Sequence, residues 1–418
     1  MLSNRGLMAR SRQQPLEHRL LLTATFCLLA GGAVMVYSAS SARTLLEGHG
    51  DGTAYLVKYL MYGAIGLVLM QLLARHGLDQ VRRLTPLLLL CSFGLCVLVL
   101  IPGFGVEVNG ARRWLGAGPL QFQPAELMKL ALVLHAASVL STRPTRAPNL
   151  RRVAGPILLP SAGALLLTVI AQRDLGTGLV IGLTLAAVLL AAGLPLRQLA
   201  LAAGAAAFVV VVLALLEPYR RARLTAFLNP WDHAGTIGFQ AVQGQIAIGS
   251  GGLFGVGPGQ SVQKVFYLPE AHTDFILAVI GEELGVAGIC ALLALYGMIG
   301  YAGLRTAKAA KGAYAKLLAA GLTSLILCQA LLNIYTVLGL APLTGVPLPF
   351  ISSGSSSLIC LLMAMGLLLN VAGGGSAHLR AVRPKRKERD ERTADRDRGR
   401  RDRRSRGAGH RRGRRAAG

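Results

Sequence analysis

Long apolar runs separated by short polar connections make up most of the chain. Ten can be drawn, at about 20–37, 55–74, 84–101, 125–141, 155–171, 176–192, 198–216, 274–300, 313–336 and 356–372. A helix needs about 17–25 apolar residues to cross a bilayer. A soluble core cannot bury so many separate runs. The alternation over about ten residues that marks a membrane β-barrel is absent. The pattern predicts an all-α polytopic membrane protein of ten transmembrane helices. The fifth and sixth runs are separated only by Gln172, Arg173, Asp174 and Leu175, which predicts a very tight turn. Three segments follow: 1–19, a transmembrane unit 20–376, and a tail 377–418.

Composition agrees and adds the tail. Of 418 residues, 53% are hydrophobic and 15% charged, with a formal net charge of +25, and the mean hydropathy is +0.52. From residue 377 onward, 18 Lys or Arg face 6 Asp or Glu, a net +12, with almost no large apolar residues. Such a segment is expected to be disordered. It is read as attracted to anionic lipid heads rather than to nucleic acid. Arg5, Arg10, Arg12 and Arg19 precede the first run and no small-residue cleavage site follows, so an uncleaved first span is expected. The six cysteines lie within apolar runs and form no CxxC pair, so they read as small core hydrophobes.

Loop charge orients the bundle. One side carries sixteen Lys or Arg outside the tail, from Arg5 to Lys316. The other carries eight: Arg43, Arg112, Arg113, Arg173, Arg220, Arg221, Arg223 and Lys264. The richer side, with both termini, is expected to be cytoplasmic. Two long loops then face outward: 102–124, and 217–273 between helices seven and eight.

Candidate chemistry lies on that outer side. In "NGARRWLGAGPLQFQPAELMK" two adjacent arginines, Arg112 and Arg113, break the charge asymmetry, and an anionic ligand such as a phosphate is one reason for them. Pro124 suits a helix start. Glu126 and Lys129, three apart, share a helix face and can pair, as a structural ion pair or in a site. Asp174 reads as the cap of the tight turn. "LPEAHTDFILAVIGEELG" (268–285) places carboxylates against an apolar run. Thr273 is expected as the N-cap, with Asp274 at the first helical position, ionised and exposed. At 100° and 1.5 Å per residue, Glu282 lies about 80° from Asp274, Glu283 about 180°, and both about 12 Å deeper. Glu282 is expected to share a polar interior with Asp274, and Glu283 to face another neighbour. Depth makes both structural candidates, and exposure makes Asp274 the better base.

Seven stretches together resemble one family: "MVYSASS" (35–41), "GARRWL" (110–115), "QPAELMK" (123–129), "DLGTG" (174–178), "AIGSGGLFGVG" (247–257), "LPEAHTDFILAVIGEELG", and "PLTGVPLPFISSGSSS" (342–357). They resemble, in order and over about residues 20–372, the SEDS family of FtsW, RodA and SpoVE proteins. "EAHTDF" with "GEELG" is more similar to its division-type FtsW members. The resemblance implies ten transmembrane helices in the bacterial plasma membrane and peptidoglycan glycosyltransferase activity on lipid II. It also implies partnership with a class B penicillin-binding protein transpeptidase and with other divisome or elongasome proteins. Carried over by motif, the catalytic aspartate falls on Asp274, and the resemblance implies substrate binding by the flanking His272 and Thr273 together with Arg112, Arg113, Glu126 and Lys129. The arginine pair falls on Arg112 and Arg113, and the QPxExxK pair on Glu126 and Lys129. Two departures stand out: Arg173 replaces a proline, and the serine run 352–357 lacks a tyrosine and a glycine.

Joining two lipid-linked disaccharides needs a base for the acceptor hydroxyl and positive charge for the departing diphosphate. Asp274 fits the first need. Arginines or a divalent cation would meet the second, and no metal-ligand motif is readable. Two rival readings remain: a flippase for lipid-linked precursors, and a non-catalytic scaffold. Polar residues clustered in the outer half rather than along the whole depth, and the lack of matching interrupted helices, speak against the flippase.

Overall fold

The protein, seen in a computed structural model, is described over residues 15–46, 52–108, 110–117, 120–142, 154–216, 221, 225–265 and 268–374. The expected disorder of 377–418, and the cationic stretches 1–14 and 143–153, lie outside the described residues.

The helices are α1 (Leu16–Leu46), α2 (Ala54–Arg75), α3 (Leu78–Leu98), α4 (Pro124–Thr142), α5 (Leu159–Leu165), α6 (Leu175–Ala191), α7 (Leu196–Leu216), α8 (Phe239–Gly251), α9 (Ile276–Ala309), α10 (Ala313–Val337) and α11 (Ser355–Ala372). Seven of these, α1 to α4 and α9 to α11, are long and apolar enough to cross a membrane. The shorter apolar helices, Gly155–Ala171 and α6, fall on the fifth and sixth predicted runs, and α7 falls on the seventh. The chain is a polytopic helical membrane protein. α5 is flanked by π-helical turns at Ala154–Leu158 and Leu166–Ala171.

α10 is the central element. It packs against α4, α6, α9 and α11, and Leu318, Leu322 and Ile326 are fully buried. Near its end three polar residues, Gln329, Asn333 and Thr336, recur at four- and three-residue spacing on one buried face. α2 and α11 pack along their lengths. At the far end of that pair, Asn370 donates to the carbonyls of Leu73 and His76, the last acceptors of α2.

Both loops read as outward connections have internal structure. In the first, three short strands form an antiparallel sheet, β1 (Gly105–Val108), β2 (Ala111–Ala117) and β3 (Leu120–Phe122). Glu107 pairs with Arg112, and Leu115 with Phe122. In the second loop, α8 lies against the first part of α9. Gly244 abuts Phe275, and Gly251 reaches the level of Gly281 and Glu282. The segment therefore descends beside α9 by about two helical turns, counted at 1.5 Å per residue.

α9 itself is interrupted. Gly285 adopts φ 65°, ψ −163° inside it, a conformation open essentially to glycine. Four of the freed backbone groups find partners in the adjoining glycine-rich stretch. Val256 and Gly257 N–H donate to the carbonyls of Glu282 and Glu283, at 2.9 and 3.1 Å. Val286 and Ala287 N–H donate to Gly252 and Leu253, at 3.0 and 3.1 Å. A Cβ at Gly285 would lie 2.5 Å from the Gly255 nitrogen. The two main chains cross in contact, which explains why glycine is needed in "GSGGLFGVG". Sequence reading anticipated no interrupted helix here.

The cysteines divide. Cys96 and Cys360 are buried, but Cys27, Cys91 and Cys290 are exposed on helix surfaces. These three face away from the bundle rather than filling its core.

Candidate active site

Asp274 sits in a tight turn just ahead of α9. Phe275 is the N-cap and the helix begins at Ile276, so neither Thr273 as N-cap nor Asp274 as first helical residue holds. Glu270 explains the difference. At φ 54°, it turns the chain so that its carbonyl accepts from the N–H of Thr273 and of Phe275. Thr273 Oγ1 then faces back, within 2.9–3.2 Å of the Glu270 carbonyl, Glu270 Oε2 and Asp274 Oδ1. Asp274 is half-buried.

The turn is held from both sides. The His272 carbonyl accepts from Ser353 N–H at 3.1 Å and Ser353 Oγ at 2.8 Å. The Asp274 carbonyl accepts from Asn333 Nδ2 at 2.6 Å. His272 is buried, with its ring 4.2 Å from that of Tyr55 on α2. The loop 341–354 forms the opposite wall, and a Cβ at Gly345 would sit 3.9 Å from Asp274 Oδ2. Side chains from three helices fix that loop. Gln329 and Asn333 donate to the carbonyls of Pro347 and Val346, Tyr59 to Phe350, and Tyr296 to Pro349. Ser352 Oγ accepts from Leu348 N–H within the loop. These anchors were missed in the sequence. Gln329 and Asn333 alone left a signal, as polar residues four apart inside an apolar run.

The arginine pair does not act as a pair. Adjacent residues of a strand point to opposite faces. Arg113 Nε and Nη2 donate to the carbonyls of Gln172 and Arg173, at 3.0 and 2.6 Å, and so tie the sheet to the α6 turn. Arg112 lies on the other face, partly exposed, with Nε 3.2 Å from Glu107 Oε2. In the α6 turn Asp174 caps the helix, accepting from Thr177 N–H and Oγ1 at 2.9 Å each, and from Gln123 Nε2 at 3.0 Å.

Glu126 and Lys129 lie one layer deeper. Both are 3% exposed, with Lys129 Nζ 2.7 Å from Glu126 Oε1 and 2.7 Å from Gln329 Oε1. Gln329 in turn donates to Ser357 Oγ at 2.9 Å. The ion pair thus supports the side chain that holds the 341–354 loop.

Glu282 does not share an interior with Asp274. Its carboxylate accepts from Ser261 Oγ and from Val262 N–H at 3.0 Å. Glu283 accepts from Lys264 Nζ at 2.8 Å and Ser38 Oγ at 2.6 Å. Both glutamates bind the returning segment 256–265 at the break in α9, because that segment, not the Asp274 turn, lies beside them. Among the described residues no cluster of three His, Cys, Asp or Glu side chains stands ready for a metal ion.

The sequence model of the FtsW/RodA/SpoVE family, described as a cell cycle protein, matches residues 18–375. The chain belongs to this family. It is 41% identical to the stage V sporulation protein E of Bacillus subtilis over 355 residues, covering 84% of this chain and 96% of that protein. It is 39% identical to a probable peptidoglycan glycosyltransferase FtsW of Geobacter sulfurreducens, covering 84% and 94%. Its fold is similar to a chain of a peptidoglycan synthase complex that coordinates polymerization and crosslinking, with TM-score 0.70, 32% identity and 84% and 96% coverage. It is also similar to the rod shape determining protein RodA of Thermus thermophilus, with TM-score 0.62, 31% identity and 84% and 95% coverage. Within the family fold, the HTDF turn and the serine-rich loop after α10 meet at one end of the bundle, joined through Asn333 and Ser353.

Proposed function

We propose that this chain is a peptidoglycan glycosyltransferase that polymerises lipid II, with Asp274 as general base. Membership of a family whose relatives include probable peptidoglycan glycosyltransferases supports the reaction class. The observation that carries the catalytic assignment is the clamped Asp274 turn, with Asn333 on its own carbonyl and Ser353 on that of His272. A base held this way keeps its carboxylate at a fixed distance from a bound hydroxyl.

In the step so assigned, the Asp274 carboxylate takes the proton of the acceptor sugar hydroxyl. That oxygen bonds to the anomeric carbon of the donor. The bond from this carbon to the diphosphate oxygen breaks, its electron pair leaves with the lipid diphosphate, and the anomeric centre inverts. Arg112, half-exposed on the other face of the sheet, is held by Glu107. Arg113, Glu126 and Lys129 serve by holding the walls.

The wider setting follows the same reading. The Asp274 end faces outward, because the opposite end carries the richer loop charge. Ten spans cross the plasma membrane, residues 20–376 form the catalytic unit, and 377–418 are a cytoplasmic tail dispensable for polymerisation. A class B penicillin-binding protein supplies crosslinking, as the relative in a synthase complex suggests.

The break in α9 favours a second reading, a lipid flippase, because interrupted helices line transport paths. Against it, the freed backbone groups are taken up by residues 252–257. Purified protein with its partner and labelled lipid II separates the two. Glycan polymer is expected. Translocation without polymer would replace the enzyme reading with the flippase, and neither outcome would leave a scaffold.

A further inference from the structure

The leaving diphosphate needs positive charge, and the arginines and lysines already described are engaged elsewhere. Arg113 is tied to two main-chain carbonyls, Arg112 to Glu107, Lys129 to Glu126 and Gln329, and Lys264 to Glu283, Ser38 and Gly259. Lys58 on α2 differs. It is exposed, forms no ion pair with another described residue, and places Nζ 5.6 Å from the centroid of the Tyr55 ring. Tyr55 is the residue whose ring meets His272 at 4.2 Å, two positions from Asp274. Tyr59, next to Lys58, is buried and donates to the Phe350 carbonyl at 2.6 Å, with the Leu29 carbonyl 3.1 Å from its hydroxyl oxygen. That bond fixes this end of α2 against the wall facing Asp274. Lys58 therefore stands four residues into an apolar helix, about 6 Å from its start, on an element locked to the candidate site.

We propose that Lys58 binds the diphosphate of the lipid-linked donor, with Tyr55 and His272 as the stack that holds its ammonium beside Asp274. The ligand class is a prenyl diphosphate. This rests on the glycosyltransferase reading for its place in the reaction, but the binding itself does not. The alternative role is a lysine that only reaches toward lipid headgroups. A compact ammonium on a flexible stem suits a group that must be released after each step. As the bond to the anomeric carbon breaks, negative charge grows on the diphosphate oxygen that departs, and the ammonium beside it is most effective at that moment. Lys58 transfers no proton in this scheme.

The test uses full-length protein and two probes, a fluorescent short-chain prenyl diphosphate and the matching prenyl alcohol. Neither carries a sugar, so neither turns over. Lys58→Met should weaken binding of the diphosphate about tenfold or more, the range of a lost charge-assisted hydrogen bond, and leave alcohol binding unchanged. Lys58→Arg, which keeps the charge, should stay close to the parent. Equal binding of the diphosphate by parent and Lys58→Met would overturn the proposal. So would a parallel loss of both probes, which reports damaged packing. A parent that binds the diphosphate through Lys58 yet makes no polymer would remove the glycosyltransferase reading and leave the binding site standing.

Discussion

Asn333 donates from Nδ2 to the main-chain carbonyl of Asp274 at 2.6 Å and to that of Val346 at 2.8 Å. One side chain thus ties the candidate base to the loop that faces it. Leucine is close to asparagine in volume but donates nothing, so Asn333→Leu leaves two carbonyls without their donor. An orphaned buried polar group costs about 1–3 kcal/mol. Asn333→Leu should lower the melting temperature by several degrees and reduce polymer yield further than the loss of folded protein explains. Differential scanning fluorimetry beside a lipid II assay checks this. Parental values in both would show that the tie is dispensable.

The buried pair Glu126–Lys129 yields a prediction of a different kind. Both partners are 3% exposed and 2.7 Å apart. Removing one leaves an uncompensated buried charge, at about 3–5 kcal/mol. Lys129→Met and Glu126→Gln should each lose melting temperature and activity together. Lys129→Met also removes the donor to Gln329, so it should loosen the 341–354 loop, read as faster proteolysis there. If both single variants melt with the parent, the pair is not structural.

At the break in α9, Gly285→Ala introduces two costs at once. The φ of 65° with ψ −163° is strained for any residue bearing a Cβ, at about 1–3 kcal/mol. The new methyl would also lie 2.5 Å from the Gly255 nitrogen, in a main-chain crossing that cannot shift without losing its hydrogen bonds. Gly285→Ala should fall sharply in membrane abundance, whereas Gly297→Ala, with open space around its Cα, should not. Equal abundance of the two in membrane fractions would contradict the crossing.

Apolar run length carried the fold because bilayer thickness sets it, and the predicted spans fall on helices for that reason. The site was legible only where one residue type had to do one job. Asp174 read as a cap from the turn alone. The arginines misled because adjacency in sequence says nothing of face until the strand is known, and "ARRWLGA" carries no clear alternation. Thr273 misled because Glu270, at positive φ, takes the N–H groups that a cap would have served. Glu282 and Glu283 could be placed by depth, but not by partner. Lys264 and Ser38 lie 19 and 245 residues from Glu283, and nothing local records that meeting.

The decisive prediction concerns Asp274. Asparagine matches aspartate in size and still accepts hydrogen bonds, so Asp274→Asn should keep the turn, since its two main-chain anchors involve carbonyls rather than the carboxylate. Melting temperature and partner binding should stay parental. Polymerisation should fall about 10²-fold or more, the usual contribution of a positioned general base. Glu282→Gln and Glu283→Gln serve as controls of opposite character. They weaken the bonds to Ser261 and Val262, and the ion pair with Lys264, so their activity losses should track melting temperature. All three variants are to be assayed with labelled lipid II beside a thermal melt. Substantial polymer from a well-folded Asp274→Asn protein would remove Asp274 as the base. A selective loss in Glu282→Gln with parental melting would move the chemistry about 12 Å along α9, at 1.5 Å per residue, to the crossing at Gly285.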